Sequence, residues 1–214
     1  MSNFKHENSK AENRVNELKE KRMDWEPEFL KLPIKPHFYF SIMNSIYHSI
    51  TIDPDQAEVI LLQFSEMMQF YVYECSKEKV PLESEIRNIH NYIGLQNMRL
   101  EAEPWVSVKV GGDLQNCSIA PFLLIGFIEN AYQHSLANQP KASFLDIQLY
   151  VNNNRIQFRA VNSKSALMGT KGQSGTGLLK VKNRLDFLYP SRHELIIKDS
   201  PHQYAVSLVI ELNK

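Results

Sequence analysis

Residues 127–134 read FIENAYQH, and the way that stretch is read decides the fold. It lies inside IAPFLLIGFIENAYQHSLA, residues 119–137, whose length and apolar content predict a helix entered through Pro121. Within that helix Glu129, Asn130 and His134 set polar groups on an otherwise apolar surface. Asn130 and His134 are four apart, so they share a helical face. Polar groups on a buried helix need partners. One reading is a helix whose polar side is wet. The other is a magnesium and phosphate site: an amide oxygen for a hard cation, a carboxylate to orient it, and an imidazole to donate to a phosphate oxygen.

Downstream, FLDIQLYV (144–151) and RIQFRAV (155–161) alternate in polarity and predict two strands joined by NNN, a turn that tolerates positive φ. A loop bearing glycine and serine follows at 162–177. GQSGTGLLKVKNRL (172–185) then places Gly172, Gly175 and Gly177 before a helix that runs on through VKNRLDFLY to Pro190. Glycines let a backbone approach phosphate oxygens, and a helix start offers unpaired N–H groups. The stretch is neither a Walker motif nor a dinucleotide-binding fingerprint, because GK[ST] and GxGxxG are both missing. HELIIKD and QYAVSLVIEL close the chain as a strand pair, and WVSVKV (105–110) is a further strand. The second half is therefore an α+β sandwich.

Upstream, the pattern is helical. PHFYFSIMNSI (36–46) opens a helix with Phe40, Met43, Asn44 and Tyr47 at i, i+3, i+4 and i+7. On this stretch alone, a packed core residue is the better reading of His37. TIDPD is a turn with Asp53 as N-cap and Pro54 as first helical residue, and the next helix runs to about Ser76. Its apolar stripe, which includes Met67, Met68 and Phe70, is too broad for one surface face. Two such hairpins are expected to pair across chains into a four-helix bundle. A third helix is expected from Leu82 to about Glu101. Residues 5–28 alternate in charge and read as a solvated helix or linker.

Among the 214 residues, 24 basic and 24 acidic side chains cancel, which argues against an electrostatic grip on nucleic acid or anionic lipid. Cys75 and Cys117 form no CxxC, so neither a disulfide framework nor a zinc site is expected. The longest apolar run, 119–128, is shorter than the roughly 20 residues that span a bilayer. The chain reads as cytoplasmic, or as the cytosolic part of a membrane protein whose spans are missing.

In order, PHFxF, YIGLQNMRL (92–100), ENAxxH and SGTGL…RL form one pattern that resembles the LytS-type sensor histidine kinases, in a variant common among Bacteroidetes. The resemblance covers residues 30–212. It implies a helical hairpin for dimerisation and histidine phosphotransfer (29–80), preceded by a charged extension (1–28). An ATP-binding domain of the Bergerat fold, shared with gyrase B and MutL, would follow at 81–214. It also implies that His37 accepts the γ-phosphoryl group of ATP, that Asn130 holds Mg²⁺, and that Glu129 orients that shell or assists proton removal. His134 would meet the phosphates, Gly175 and Gly177 would line their end of the pocket, and 163–174 would be a lid. Asn162 would stand where many relatives read adenine with an aspartate, and Arg99 would be a structural ion-pair residue.

Some positions depart from the family pattern. Pro33, Lys35 and Ser41 replace a glutamine and two asparagines, Lys180 replaces an asparagine, and the DxGxG glycines are missing. Lysine can still hold a phosphate as a point charge. The implied activity is ATP-dependent phosphorylation of His37 in a homodimer, followed by transfer to an aspartate of a response regulator, of the LytTR type in many relatives. The alternative is a degenerate kinase-fold module that dimerises, binds nucleotide and regulates a partner without phosphoryl transfer.

Overall fold

The computed structural model describes residues 36–100, 104–136, 143–164 and 175–212. The charged extension at 1–28 and most of the expected lid lie outside them. The chain begins, in the described part, with two antiparallel helices. α1 (Pro36–Ile52) buries Phe38, Ile42 and Ile46, four apart along one face. Asp53 then caps α2 (Pro54–Glu74): its carboxylate accepts from the Gln56 N–H at 3.1 Å, with Pro54 opening the helix as expected. α2 buries Ala57, Ile60, Met67, Phe70 and Tyr71, whereas Met68 is half-buried. It ends at Glu74, slightly before the expected Ser76.

A short strand, β1 (Val80–Pro81), pairs antiparallel with β3 (Ser118–Ile119) and leads into α3 (Leu82–Asn97). α3 stops at Asn97 rather than Glu101, and 98–100 form a turn. The larger correction concerns residues 119–137. Only α4 (Ile125–Ala131) is α-helical there. Residues 121–124 make a turn in which Phe122 has φ +60°, and Tyr132–Leu136 widen into a π-helical turn. Pro121 opens that turn, because the left-handed residue behind it ends any right-handed helix.

The sheet contains β2 (Trp105–Gly112), β4 (Phe144–Asn152), β5 (Arg155–Ser163), β7 (Gln203–Glu211) and β6 (His193–Asp199), in that spatial order. β2 runs parallel to β4 and every other pairing is antiparallel. Asn153 and Asn154 at φ 48° and 61° make the expected turn between β4 and β5. At the end of β2, Gly112 has φ +88°, and a Cβ there would lie 1.9 Å from the Val151 carbonyl oxygen. Leu145, Ile147, Leu149, Phe158, Val206 and Leu208 point to one face and are buried. Phe127 of α4 packs on that face, its ring 5.8 Å from Phe158. α5 (Gly175–Leu188) lies against α4, where a Cβ on Gly126 would come 2.6 Å from Val181 Cγ2. The architecture is α+β: a helical hairpin joined to a mixed sheet with helices on one face. Hairpin and sheet belong to one compact unit. No helix among the described residues is long and apolar enough to cross a membrane.

Candidate functional site

His37 lies in the first turn of α1. Phe38, Ile42 and Ile46 define the inward face, so its own side chain points away from it and is exposed. The packed-core reading of this histidine is thereby removed. Its neighbour Phe38 does the packing. The Phe38 ring sits 5.2 Å from that of Tyr92 on α3, under the guanidinium of Arg99 at 5.6 Å. Arg99 also donates from Nη1 to Gln96 Oε1 at 3.0 Å, and Gln96 donates to the Tyr92 hydroxyl at 2.7 Å. Arg99 was expected to pair with a carboxylate. Among the described residues its contacts are an aromatic face and an amide.

Tyr92 in turn meets Tyr132 edge-on at 5.7 Å, and Tyr132 donates to Asn97 Oδ1 at 2.7 Å. Tyr132 follows Glu129–Asn130–Ala131 directly. The histidine segment and the ENA helix therefore converge on one aromatic residue, Tyr92, supplied by the YIGLQNMRL segment. Electrostatics tells the same story. Burial pushes the Tyr39, Tyr71 and Tyr92 phenols above their ordinary range, and the negative charge of Glu129 pushes each further. Glu129 on α4 thus lies within electrostatic reach of α1. Its Oε1 accepts from Gln133 Nε2 at 2.6 Å.

Asn130 is half-buried beside Glu129. His134 falls in the π-helical turn, so the single α-helical face expected to join it to Asn130 does not run through; its side chain lies outside the described residues. Gly175 opens α5, Gly177 follows one residue on, and Lys180 is exposed on the same helix. A Cβ on Gly177 would have no neighbour within 4 Å among the described residues. Because α4 and α5 touch at Gly126 and Val181, Glu129, Asn130 and the start of α5 belong to adjacent elements. Asn162 sits on the inner side of β5, 4% exposed, with its Nδ2 donating to the Ser163 carbonyl oxygen at 2.8 Å.

Sequence reasoning missed Glu85. In LESEIRN it looks like an ordinary surface charge, yet it is fully buried on α3. It accepts from the backbone N–H groups of Phe122 at 2.9 Å and Leu124 at 3.1 Å. Burial pushes its pKa up to about 7, against those N–H groups and the charge of Arg184, which pull it down. A shallow depression of roughly 590 Å³ lies elsewhere, on the sheet face away from the helices, lined by Lys109, Gln148, Tyr150, Gln157 and Arg159 among others. No predicted site residue lines it.

Comparison with known proteins finds histidine kinases. A histidine kinase family model matches residues 25–103. The sensor protein LytS of Staphylococcus epidermidis is 23% identical over 199 residues, 87% of this chain and 34% of that protein. LytS of Bacillus anthracis is 22% identical over 192 residues, 84% of this chain and 33% of its own length. The chain thus spans about a third of the length of these relatives. Among solved structures, the histidine kinase domain of a blue-light-activated kinase from Erythrobacter litoralis matches at a TM-score of 0.45 and 14% identity, covering 84% of this chain and 90% of that one. With its histidine segment matched by the family model and LytS proteins aligned along most of its length, the chain is similar to the LytS-type sensor histidine kinases.

Proposed function

We propose that this chain is the catalytic core of an ATP-dependent protein-histidine kinase, in which His37 receives the γ-phosphoryl group. The observation that carries the proposal is the arrangement around Tyr92. His37 is exposed while Phe38 and Tyr39, directly after it, are seated on the cluster that lies within the field of Glu129. An exposed imidazole on a fixed helical turn is a nucleophile that a nucleotide held by α4 and α5 can meet.

The residues present fit Mg²⁺ and ATP. Asn130 offers a hard amide oxygen beside the Glu129 carboxylate, and the open space at Gly177 leaves room for phosphate oxygens against the α5 backbone. Mg²⁺ neutralises charge on the phosphates. The chain's own residues then position the reactants. The lone pair of an imidazole nitrogen on His37 attacks the γ-phosphorus, the bond to the bridging oxygen breaks, and ADP leaves as the N–P bond forms. Glu129 is placed to orient the site or take up the proton, and Lys180 to offer a point charge to phosphate. His134 and Gly175 complete the phosphate end, and Asn162 the adenine end.

The hairpin supplies the partner surfaces. Phe40, Tyr47 and Ile52 on α1 and Leu62 and Tyr73 on α2 are between 60% and 82% exposed. Such a face supports pairing with a second copy into a four-helix bundle. The phosphoryl group would pass from His37 to an aspartate of a response regulator, with the LytTR type as the expected class.

One observation favours the degenerate module. Asn162 is almost fully buried and donates from Nδ2 to the Ser163 carbonyl oxygen, so the adenine amino group would meet only its neutral Oδ1 in place of a carboxylate. The two readings separate by experiment. With Mg²⁺ present, a fluorescent ATP analogue should bind wild type and His37→Gln equally and Asn130→Asp poorly. Label from γ-labelled ATP should appear on wild type and vanish in His37→Gln. Binding without label establishes the module; loss of both removes the nucleotide reading.

A further inference from the structure

Glu85 takes no part in the transfer just described. A fully buried carboxylate is a costly feature, and here both oxygens are engaged, by the N–H groups of Phe122 and Leu124. Those groups belong to the 121–124 turn. Phe122 sits in it at φ +60°, a backbone conformation that bulky residues rarely adopt. Strain of this kind persists only where the surroundings over-determine it. The Glu85 carboxylate holds the backbone from one side. From the other, the rings of Phe70 and Tyr71 on α2 lie 5.0 and 4.5 Å from the Phe122 ring.

Two more elements hang on the same turn. α4 runs directly on from it to Glu129 and Asn130. α5 is fastened to it at its far end, where Ala120 N donates to the Tyr189 hydroxyl at 2.8 Å, and along its length by the close approach of Val181 to Gly126. Arg184 of α5 adds a positive charge within reach of Glu85. The hairpin, the ENA helix and the glycine-loop helix therefore share one small turn, and Glu85 of α3 is the group that fixes its shape.

We propose that Glu85 is a positioning residue for phosphoryl transfer: by pinning the 121–124 turn with Phe122 left-handed, it couples the seat of the hairpin to the aim of α4 and α5. Its consequence for catalysis rests on the kinase reading; the coupling itself rests on the geometry alone. A glutamine at this place can accept one of the two N–H bonds, but its NH₂ group faces the other donor. The turn then relaxes, Phe122 leaves its place against Phe70 and Tyr71, and the hairpin and α5 loosen together. The ionisable groups facing Glu85 are Arg184 on α5, Tyr189 just after that helix and Tyr71 on α2; burial raises its pKa, while the N–H groups of the turn and the charge of Arg184 pull it down.

The test compares wild type, Glu85→Gln, Phe122→Leu and a sheet-core control, Leu149→Ala, by backbone hydrogen exchange and by titration with a fluorescent Mg–ATP analogue. In Glu85→Gln, exchange should rise at once in residues 67–74, 121–125 and 178–188, and analogue affinity should fall about tenfold. Phe122→Leu should give the same pattern at lower amplitude, which keeps the test decisive if the first variant fails to fold. Leu149→Ala should lower the melting temperature while leaving both readouts unchanged. Exchange confined to 121–125 with intact affinity would reduce Glu85 to a local cap and overturn the coupling. If wild type binds no analogue, the kinase reading fails, and the three-region exchange pattern still decides whether the coupling exists.

Discussion

The hairpin and the sheet domain solve the same burial problem differently. The sheet buries one face under helices and turns the other outward with Lys109, Gln148, Gln157 and Arg159, only Trp105 and Tyr150 adding large exposed rings. Ion pairs such as Arg155–Glu211 at 2.6 Å and Arg159–Asp146 at 3.9 Å lie on that outward face. Its core is complete within one chain. The hairpin buries one face against α3 and leaves the other, with Phe40, Met43, Tyr47, Leu61 and Leu62, in water. Among the described residues, the hydroxyls of Tyr39 and Tyr71, Gln63 Oε1 and Glu74 Oε2 on the hairpin and both amide atoms of Asn88 on α3 are buried without a hydrogen-bond partner. The difference teaches that the sheet domain covers its apolar face within one chain, whereas the hairpin leaves open the apolar face proposed above to meet a second copy. The joint between them, where α2 and α3 meet the 121–124 turn, holds the buried Glu85 carboxyl.

Truncations give the largest contrast. Phe158→Ala in the sheet core should cost about 3–5 kcal/mol of unfolding free energy, at any protein concentration. Tyr47→Ala, on the open hairpin face, should cost roughly 0.5 kcal/mol or less in the monomer but weaken self-association, as read by sedimentation equilibrium. Equal losses for both, independent of concentration, would break the comparison.

Acidity gives the next effect. Glu85 is raised from 4.5 to about 7 in the folded chain. Between those values the folded state holds a proton that the unfolded state has released, so this group's contribution falls as pH rises through the window and is fully lost above it. The difference is on the order of 3 kcal/mol. Chemical denaturation across pH 5–8 should therefore show a flatter loss in Glu85→Gln than in wild type. A parallel course for the two would remove the claim that a buried carboxyl sits at this joint.

The smallest effect sharpens the account of that joint. Tyr71→Phe deletes a buried hydroxyl that has no partner, so it should stabilise the chain by about 1 kcal/mol. A loss of similar size would mean that the hydroxyl is satisfied in solution.

Much of this architecture was legible from periodicity and turn chemistry. Asp53–Pro54 announced α2, the three asparagines announced the β4–β5 hairpin, and alternation marked β2 as a strand. What escaped was decided by tertiary contact. A two-residue bridge such as β1–β3 is too short to carry a period. Phenylalanine has no preference for positive φ, so nothing in IAPFLL signals the break at Phe122, and the apolar run reads as one helix. Glu85 escaped for a related reason: a glutamate in a helix looks solvated until the N–H groups it serves, 37 and 39 residues away, are in place. His37 could be proposed as the phosphoacceptor only with the whole motif set in view, because its own neighbours are apolar and it is the helical phase that turns it outward.

The central claim is that His37 is the phosphoacceptor. It is tested most directly by incubating the chain with Mg²⁺ and γ-labelled ATP, quenching under alkaline conditions that preserve phosphohistidine, and mapping the modified residue by peptide mass spectrometry. The account predicts one acid-labile phosphoramidate, on the peptide containing Pro36–His37–Phe38, absent in His37→Gln. A modified residue elsewhere, or undiminished label in His37→Gln, would contradict it.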